Sequence, residues 1–276
     1  MSDIKHEQLS LFDSFETMLQ TSESQIIANY FRKLINIKNI LAYNFEKYED
    51  EGQLHYDDLA QYNRLAKMSA DIRGVIVALY TENTALMTNT MTNTYANSFV
   101  GTGNIVSRAW GNNSLIGIIR EEEINRALTN DISGLKWTER MGIRREQAVL
   151  KIRETIVQGL YNGESYGQMA ERLNSIMGQE NKGDIPNATR IIRTECYRIF
   201  SEAKKDRLDR VGGADMMKEW FTAKDERVRN NHKPMHGIRV PYNQKFLLPN
   251  GNSGFAPGMI GSSEDDTNCR CTWFVE

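Results

Sequence analysis

Proline is scarce and unevenly placed: the 276 residues contain five, Pro186, Pro234, Pro241, Pro249 and Pro257, all in the last third. Glycine is equally thin at the front, where the first 100 residues hold only Gly52 and Gly74. Both residues interrupt regular structure, so their absence predicts long helices first, and loops with short strands afterwards. Cysteine is sparse too. Three residues, Cys196, Cys269 and Cys271, are an odd number in a long chain and argue against a secreted disulfide scaffold. No apolar run reaches the roughly 18 residues that would read as a membrane span. Met1 to Asp13 lacks the basic and apolar regions of a signal peptide, so a cytoplasmic site of synthesis and no membrane partner are expected. Charge of one sign is also missing: 34 Lys and Arg face 36 Asp and Glu, and no global basic field advertises nucleic acid.

What is present fits a globular protein. A 40% hydrophobic and 25% charged composition in a chain of this length suits one large domain or two ordinary ones. Charge is distributed unevenly, with 11 basic and 17 acidic residues in 1–135, 15 and 11 in 136–210, and 8 and 8 in 211–276. The mildly basic middle segment suits contact with DNA or an acidic partner, and equally suits solvated helix faces.

Local patterns support the two-part division. Ser22-Glu23-Ser24-Gln25 has the form of a capping box and precedes an apolar stripe through Ile27, Phe31, Leu34, Ile35, Leu41 and Phe45, predicting a helix from Ser22 to Tyr48. Asp57 or Asp58 can cap a second helix with an apolar face at Leu65, Met68, Ile72, Ile76 and Leu79, giving an antiparallel hairpin. Thr81 to Asn97 either continues that helix or crosses the surface. Asn97 to Gly117, with Gly101-Thr102-Gly103 and Trp110-Gly111-Asn112-Asn113-Ser114, reads as a connector, and no Gly-Lys-Ser/Thr follows to make it a phosphate loop. Helices are expected from Arg120 onward: Glu121 to Glu123 suit an N-terminus, Arg144 to Leu160 and Ser165 to Ile176 close at glycines, and Ala188 to Leu208 forms a basic amphipathic helix ending near Gly212-Gly213. From Met216 the chain turns to short aromatic runs bounded by Pro, Gly or Asn. The expected fold class is therefore α+β and mainly helical, with a small irregular β-containing region at the end.

Polar chemistry concentrates in that last region. Two of the four histidines, His232 and His236, and two of the three cysteines, Cys269 and Cys271, lie within the final 45 residues. Two Cys and two His can close a tetrahedral zinc site, and zinc is the one cofactor the residues suggest. Pro234 prevents His232 and His236 from sharing an uninterrupted helix face, whereas Cys269 and Cys271 point the same way if the chain is extended. A hydrogen-bonded knot of buried Cys and His is the alternative. Asp225 with His232 and His236 admits a metal-dependent nuclease or transferase, but Asp225, Arg227 and Arg229 also read as ion pairs that hold a loop.

The same residues carry a family resemblance. Leu160-Tyr161-Asn162-Gly163-Glu164-Ser165, Arg190-Ile191-Ile192-Arg193-Thr194-Glu195 with Ala203, Trp220, Asp225-Glu226-Arg227-Val228-Arg229, His232, His236-Gly237, Phe246, Pro257 and Asn268-Cys269-Arg270-Cys271 together resemble the phage Mu F-like minor head, or head morphogenesis, protein family. The resemblance covers Leu135 to Glu276 and divides the chain into a helical portal- or capsid-contacting region, 1–134, and a Mu F-like domain, 135–276. It implies a minor structural protein of a tailed double-stranded DNA phage, made in the host cytoplasm and carried in few copies inside the virion head near the portal. Its implied partners are the portal protein, capsid or scaffold proteins, and double-stranded DNA, with roles in head assembly and DNA packaging or ejection. No enzymatic activity is implied; the family motif residues Arg193, Thr194, Glu195, Trp220, Asp225, Arg227, Gly237 and Asn268 are expected to be structural.

Overall fold

A computed structural model describes residues 3–111, 117–132, 134–179, 183–212 and 216–276. Its first helix, α1, spans Asp3–Tyr48 and buries Phe15, Leu19, Ser22, Ile26, Tyr30, Leu34, Ile37, Leu41 and Phe45, which recur every three or four residues. Ser22 therefore does not start a helix. It lies within the buried stripe, where its hydroxyl donates to Met18 O (3.2 Å) and accepts from Thr90 Oγ1 (2.9 Å). The earlier turns were obscured by Ser and Thr at Ser10, Ser14, Thr17 and Thr21, three of which bond back to the carbonyl four residues before and so cost the helix little.

A short helix α2, Tyr56–Ala60, carries Asp57 and Asp58 in its first turn, after His55 as N-cap. Tyr62, at φ 55°, kinks the chain, and α3 follows over Arg64–Trp110. The segment Thr81–Asn97 thus continues the helix, and the connector expected from Asn97 is helical as far as Trp110. Its glycines are packing points rather than turn formers: a Cβ on Gly101 would lie 2.5 Å from Leu11 Cδ1, and one on Gly103 would lie 2.3 Å from Arg207 Nε. Close packing offsets the roughly 1 kcal/mol that glycine costs inside a helix. Residues 112–116, also assigned to that connector, lie outside the described residues, as does Gly213.

Four more helices follow: α4 Glu121–Thr129, α5 Trp137–Tyr161, α6 Tyr166–Met177 and α7 Asp184–Arg210. Glu121 to Glu123 form the first turn of α4, and Glu123 reaches back to accept from Arg120 N (3.0 Å). At α6, Gly178 closes the helix, as the sequence predicts, and Ser165 and Gln168 add a capping box at its start.

The chain forms two compact units. One comprises Met1–Ser22, Met87–Trp137 and Arg190–Glu276; the other comprises Glu23–Leu86 and Thr138–Thr189. The second contains helices and, between α1 and α2, one isolated bridge, Asp50 to Gln53, among its described residues. In it α1 and α3 run antiparallel, as Asn29 donates to Asn83 (2.9 Å) and Lys33 pairs with Glu82 (2.6 Å). Phe45 meets Tyr166 edge-on at 5.9 Å, and Tyr80 donates to Asp184 (3.1 Å).

The first unit adds the strands. β1 (Met217–Phe221) lies between β2 (Arg239–Pro241) and β5 (Thr272–Val275) in an antiparallel sheet, with Trp220 opposite Trp273 and Glu219 opposite Arg239. β3 (Phe246–Leu247) and β4 (Ser253–Gly254) form a separate ribbon. An open strand edge needs partners. Gln8 of α1 supplies them at β5, accepting from Val275 N (3.0 Å) and donating to Val275 O (2.9 Å). The buried Lys204 amine ties that edge to α7 by donating to Gln8 Oε1 (2.8 Å) and Trp273 O (2.6 Å). A mainly helical α+β fold is what the glycine and proline distribution predicts.

Candidate functional site

The site is built on loops that the small sheet and α7 hold in place. β1 ends at Phe221, and Trp220 pairs with the chain returning from the histidine turn: Trp220 N donates to Ile238 O (3.0 Å) and Gly237 N to Trp220 O (2.9 Å). Gly237 is at φ 80°, a left-handed conformation that a side chain resists, which explains glycine there. Between them a single 3-10 turn, Lys233–Met235, contains Pro234. His232 and His236 consequently diverge. His232 is 1% exposed and lies edge-on to Trp220 at 5.3 Å. His236 turns instead to β1, where Nδ1 accepts from Thr222 N (3.1 Å) and the ring lies 4.9 Å from Phe221.

Cys269 and Cys271 approach His232 from the other side. Asn268, at φ 55°, turns the chain just before β5, and its N–H donates to Thr194 Oγ1 of α7 (2.8 Å). That contact joins two residues of the family motif and anchors the cysteine segment to the helix. Both sulfurs then lie 3.6 Å from His232 Nδ1. His232, Cys269 and Cys271 are all buried, with their ligand atoms within 4.8 Å of one another. Of the four residues expected to cluster, three do so, and His236 stands outside the group.

Asp265 completes the arrangement, and sequence reasoning missed it. In a Ser-Ser-Glu-Asp-Asp run it reads as solvated, yet it is fully buried within the short helix α8, Ser263–Asp266. Its carboxylate faces His232 Nε2 at 3.2 Å and accepts from the amides of Asn231, Asn250 (3.2 Å) and Asn252 (2.8 Å). The recurrence of Asn beside His232 and in the Asn250-Gly251-Asn252 turn was the available signal. Asp266 is likewise buried and accepts from Ile260 N (3.0 Å) and Gly261 N (2.7 Å).

These contacts set the protonation states. Burial pushes Asp265 up, but its hydrogen bonds with the three asparagines and His232 more than offset this and hold the carboxyl below its usual range. Burial pulls His232 down, and hydrogen bonds to Cys269 and Asp265 carry it net upward. Beside Cys271 and His232, the Cys269 thiol is held well below the usual range, while Cys271 is pushed up by its neighbour and by burial. The first thiol proton of the pair therefore leaves easily and the second reluctantly.

The remaining motif residues differ in their burial and contacts. Asp225 accepts from Arg270 and from Arg227 N (3.0 Å), closing the loop after β1. The Arg227 side chain is exposed, and Arg193 is half-buried on α7. Glu195 is buried and paired with Arg198, which also donates to Glu202 (2.7 Å) and to Ala127 O (2.6 Å). Such a network matters chiefly because removing one member strands a buried charge. The basic character of α7 is thus partly spent inward: Arg198, Lys204 and Arg207 are all buried and do not face solvent phosphate.

Comparison with known proteins gives this geometry a family. Residues 150–274 match the family described as phage Mu protein F like protein. This segment is similar to the phage Mu F-like family. The Mu F-like region begins within α5 and ends in β5, so it contains α6, α7, both small sheets and the whole buried cluster. Over 257 residues, 93% of this chain and 82% of the relative, the protein is 27% identical to Minor head protein GP7 of Bacillus phage SPP1. It is 22% identical over 274 residues to NAD(+)--arginine ADP-ribosyltransferase EFV of Enterococcus faecalis, spanning 99% of this chain but only 55% of that protein. No solved structure matches it. Among the described residues no helix is long and apolar enough to cross a membrane.

Proposed function

We propose that the protein is a minor structural component of the head of a tailed double-stranded DNA phage, seated at the portal and acting in head assembly and DNA packaging or ejection. The observation that carries this reading is the near full-length similarity to a minor head protein, extending through both compact units rather than through the Mu F-like region alone. The helical region 1–134 is the portal- or capsid-contacting part in this reading. The Mu F-like region is a fixed module whose histidine, cysteine and asparagine contacts hold its loops against α7. Double-stranded DNA remains a weaker partner, because several α7 cations are already paired or buried.

Co-expression with the portal protein of the same phage tests the assignment. The chain should co-elute with portal rings in size-exclusion chromatography. Separate elution at micromolar concentrations would contradict it.

A transferase reading has one observation in its favour, the name of the second relative. That protein extends well beyond the matched segment, so the match by itself does not carry its named activity to this chain. The residues that could have served catalysis here are occupied: His232 is 1% exposed, His236 Nδ1 accepts from Thr222 N, and the Asp225 carboxylate is held by Arg270. The head-protein reading is therefore the stronger one.

A further inference from the structure

Two sulfurs stand at equal distance, 3.6 Å, from one imidazole nitrogen. A nitrogen of neutral imidazole has one lone pair and can accept from one thiol at a time. His232 Nε2 faces the Asp265 carboxylate at 3.2 Å, so Nε2 carries the proton and Nδ1 presents its lone pair to both sulfurs. A hydrogen-bonded knot serves one thiol through Nδ1 and leaves the other to bond the neighbouring sulfur. A single cation between the three atoms serves all of them.

The distances suit zinc. With Zn–S of about 2.3 Å and Zn–N of about 2.05 Å, a tetrahedral site has S···N edges of roughly 3.6 Å. The surroundings are also those of a metal ligand: the histidine donates its other N–H to a carboxylate that is itself held by Asn231, Asn250 and Asn252, fixing tautomer and ring orientation. Charge balances as well. A dication with two thiolates and a neutral imidazole is neutral overall, which a pocket lined by Trp220, Phe246 and Met235 requires.

The geometry points to a zinc site formed by Cys269 Sγ, Cys271 Sγ and His232 Nδ1, with Asp265 orienting the histidine. Binding a Zn²⁺ ion forms two Zn–S bonds and one Zn–N bond and releases both thiol protons to solvent. Among the described residues the cluster supplies these three ligands. The ion would clamp the 3-10 turn to the segment preceding β5, and thereby to Thr194 of α7.

Tag-free full-length protein purified without chelator provides the test, by elemental analysis and by cobalt substitution. The expected result is about one zinc per chain, and with Co²⁺ a thiolate-to-metal charge-transfer band with tetrahedral d–d absorption. The C269S/C271S variant should fall to less than about a tenth of that metal content, while C196S, altering the buried cysteine outside the cluster, should retain it. If the double variant fails to fold, modification of wild-type thiols under native conditions should release zinc in step with loss of two thiols. Wild type that takes up neither zinc nor Co²⁺ after refolding with the ion overturns the proposal, as does equal metal content in wild type and C269S/C271S.

Discussion

Replacing Asp265 by alanine removes the acceptor on which four donors converge. Their surroundings decide the cost. A hydrogen bond to a charged group contributes about 1.5–3 kcal/mol, and a buried donor left without a partner loses its full desolvation penalty. Asn231 and Asn252 are half-buried and Asn250 is exposed, so water replaces the carboxylate and each amide loses about 0.5 kcal/mol or less. The His232 imidazole, at 1% exposure, has no such recourse and accounts for most of about 3–4 kcal/mol in total. Urea unfolding in the presence of EDTA, followed by tryptophan fluorescence, isolates the effect. All four tryptophans, Trp110, Trp137, Trp220 and Trp273, belong to the unit that contains Asp265. The midpoint should fall with little change in slope, and amide exchange within Glu23–Leu86 should stay as in wild type. A loss below about 1 kcal/mol would refute the view that Asp265 organises the site.

Other consequences follow from the same contacts. Burial raises Asp184 from 3.8 to about 6, so its contribution to stability is fully present below the unfolded value and is lost as pH rises through about 6. Asp184→Asn should therefore be more stable than wild type at pH 8, by about 1–2 kcal/mol once the lost favourable charge at the α7 N-terminus is deducted, with the gap closing by pH 4 in calorimetric melts. Thr194→Val should cost about 1 kcal/mol by leaving Asn268 N without its acceptor, and should speed proteolysis near Cys269; unchanged cleavage would sever that link. Incubation with DNA, RNA or labelled NAD⁺ plus an arginine-rich acceptor, with and without zinc or magnesium, should give no turnover that separates wild type from His232→Ala. Any DNA binding should weaken steeply between 50 and 200 mM salt, since only phosphate contacts by the remaining exposed cations are available to supply it.

The sequence made the helices legible wherever apolar residues kept their three- and four-residue spacing, as at Leu34 to Phe45 and Met68 to Leu79. It misled where residue type was read without its neighbours. Gly101 and Gly103 look like turn formers, but tight contacts to Leu11 and Arg207 use their missing side chains inside α3. Ser22 looks like a cap because the sequence does not reveal that Thr90 lies beside it. At the site, the cysteine pair and His232 were visible from composition and spacing, and Pro234 signalled that the two histidines would part. Asp265 was harder to read because its burial depends on three asparagines and a histidine brought together from separate loops, and the recurring asparagines are its trace in the sequence.

The central claim, that this chain is a minor head component, is tested most directly by quantitative mass spectrometry of purified DNA-filled heads. The account predicts peptides from both compact units at a few copies per particle, retained after nuclease treatment and salt washing. Particles containing portal and major capsid proteins but none of this chain would contradict it.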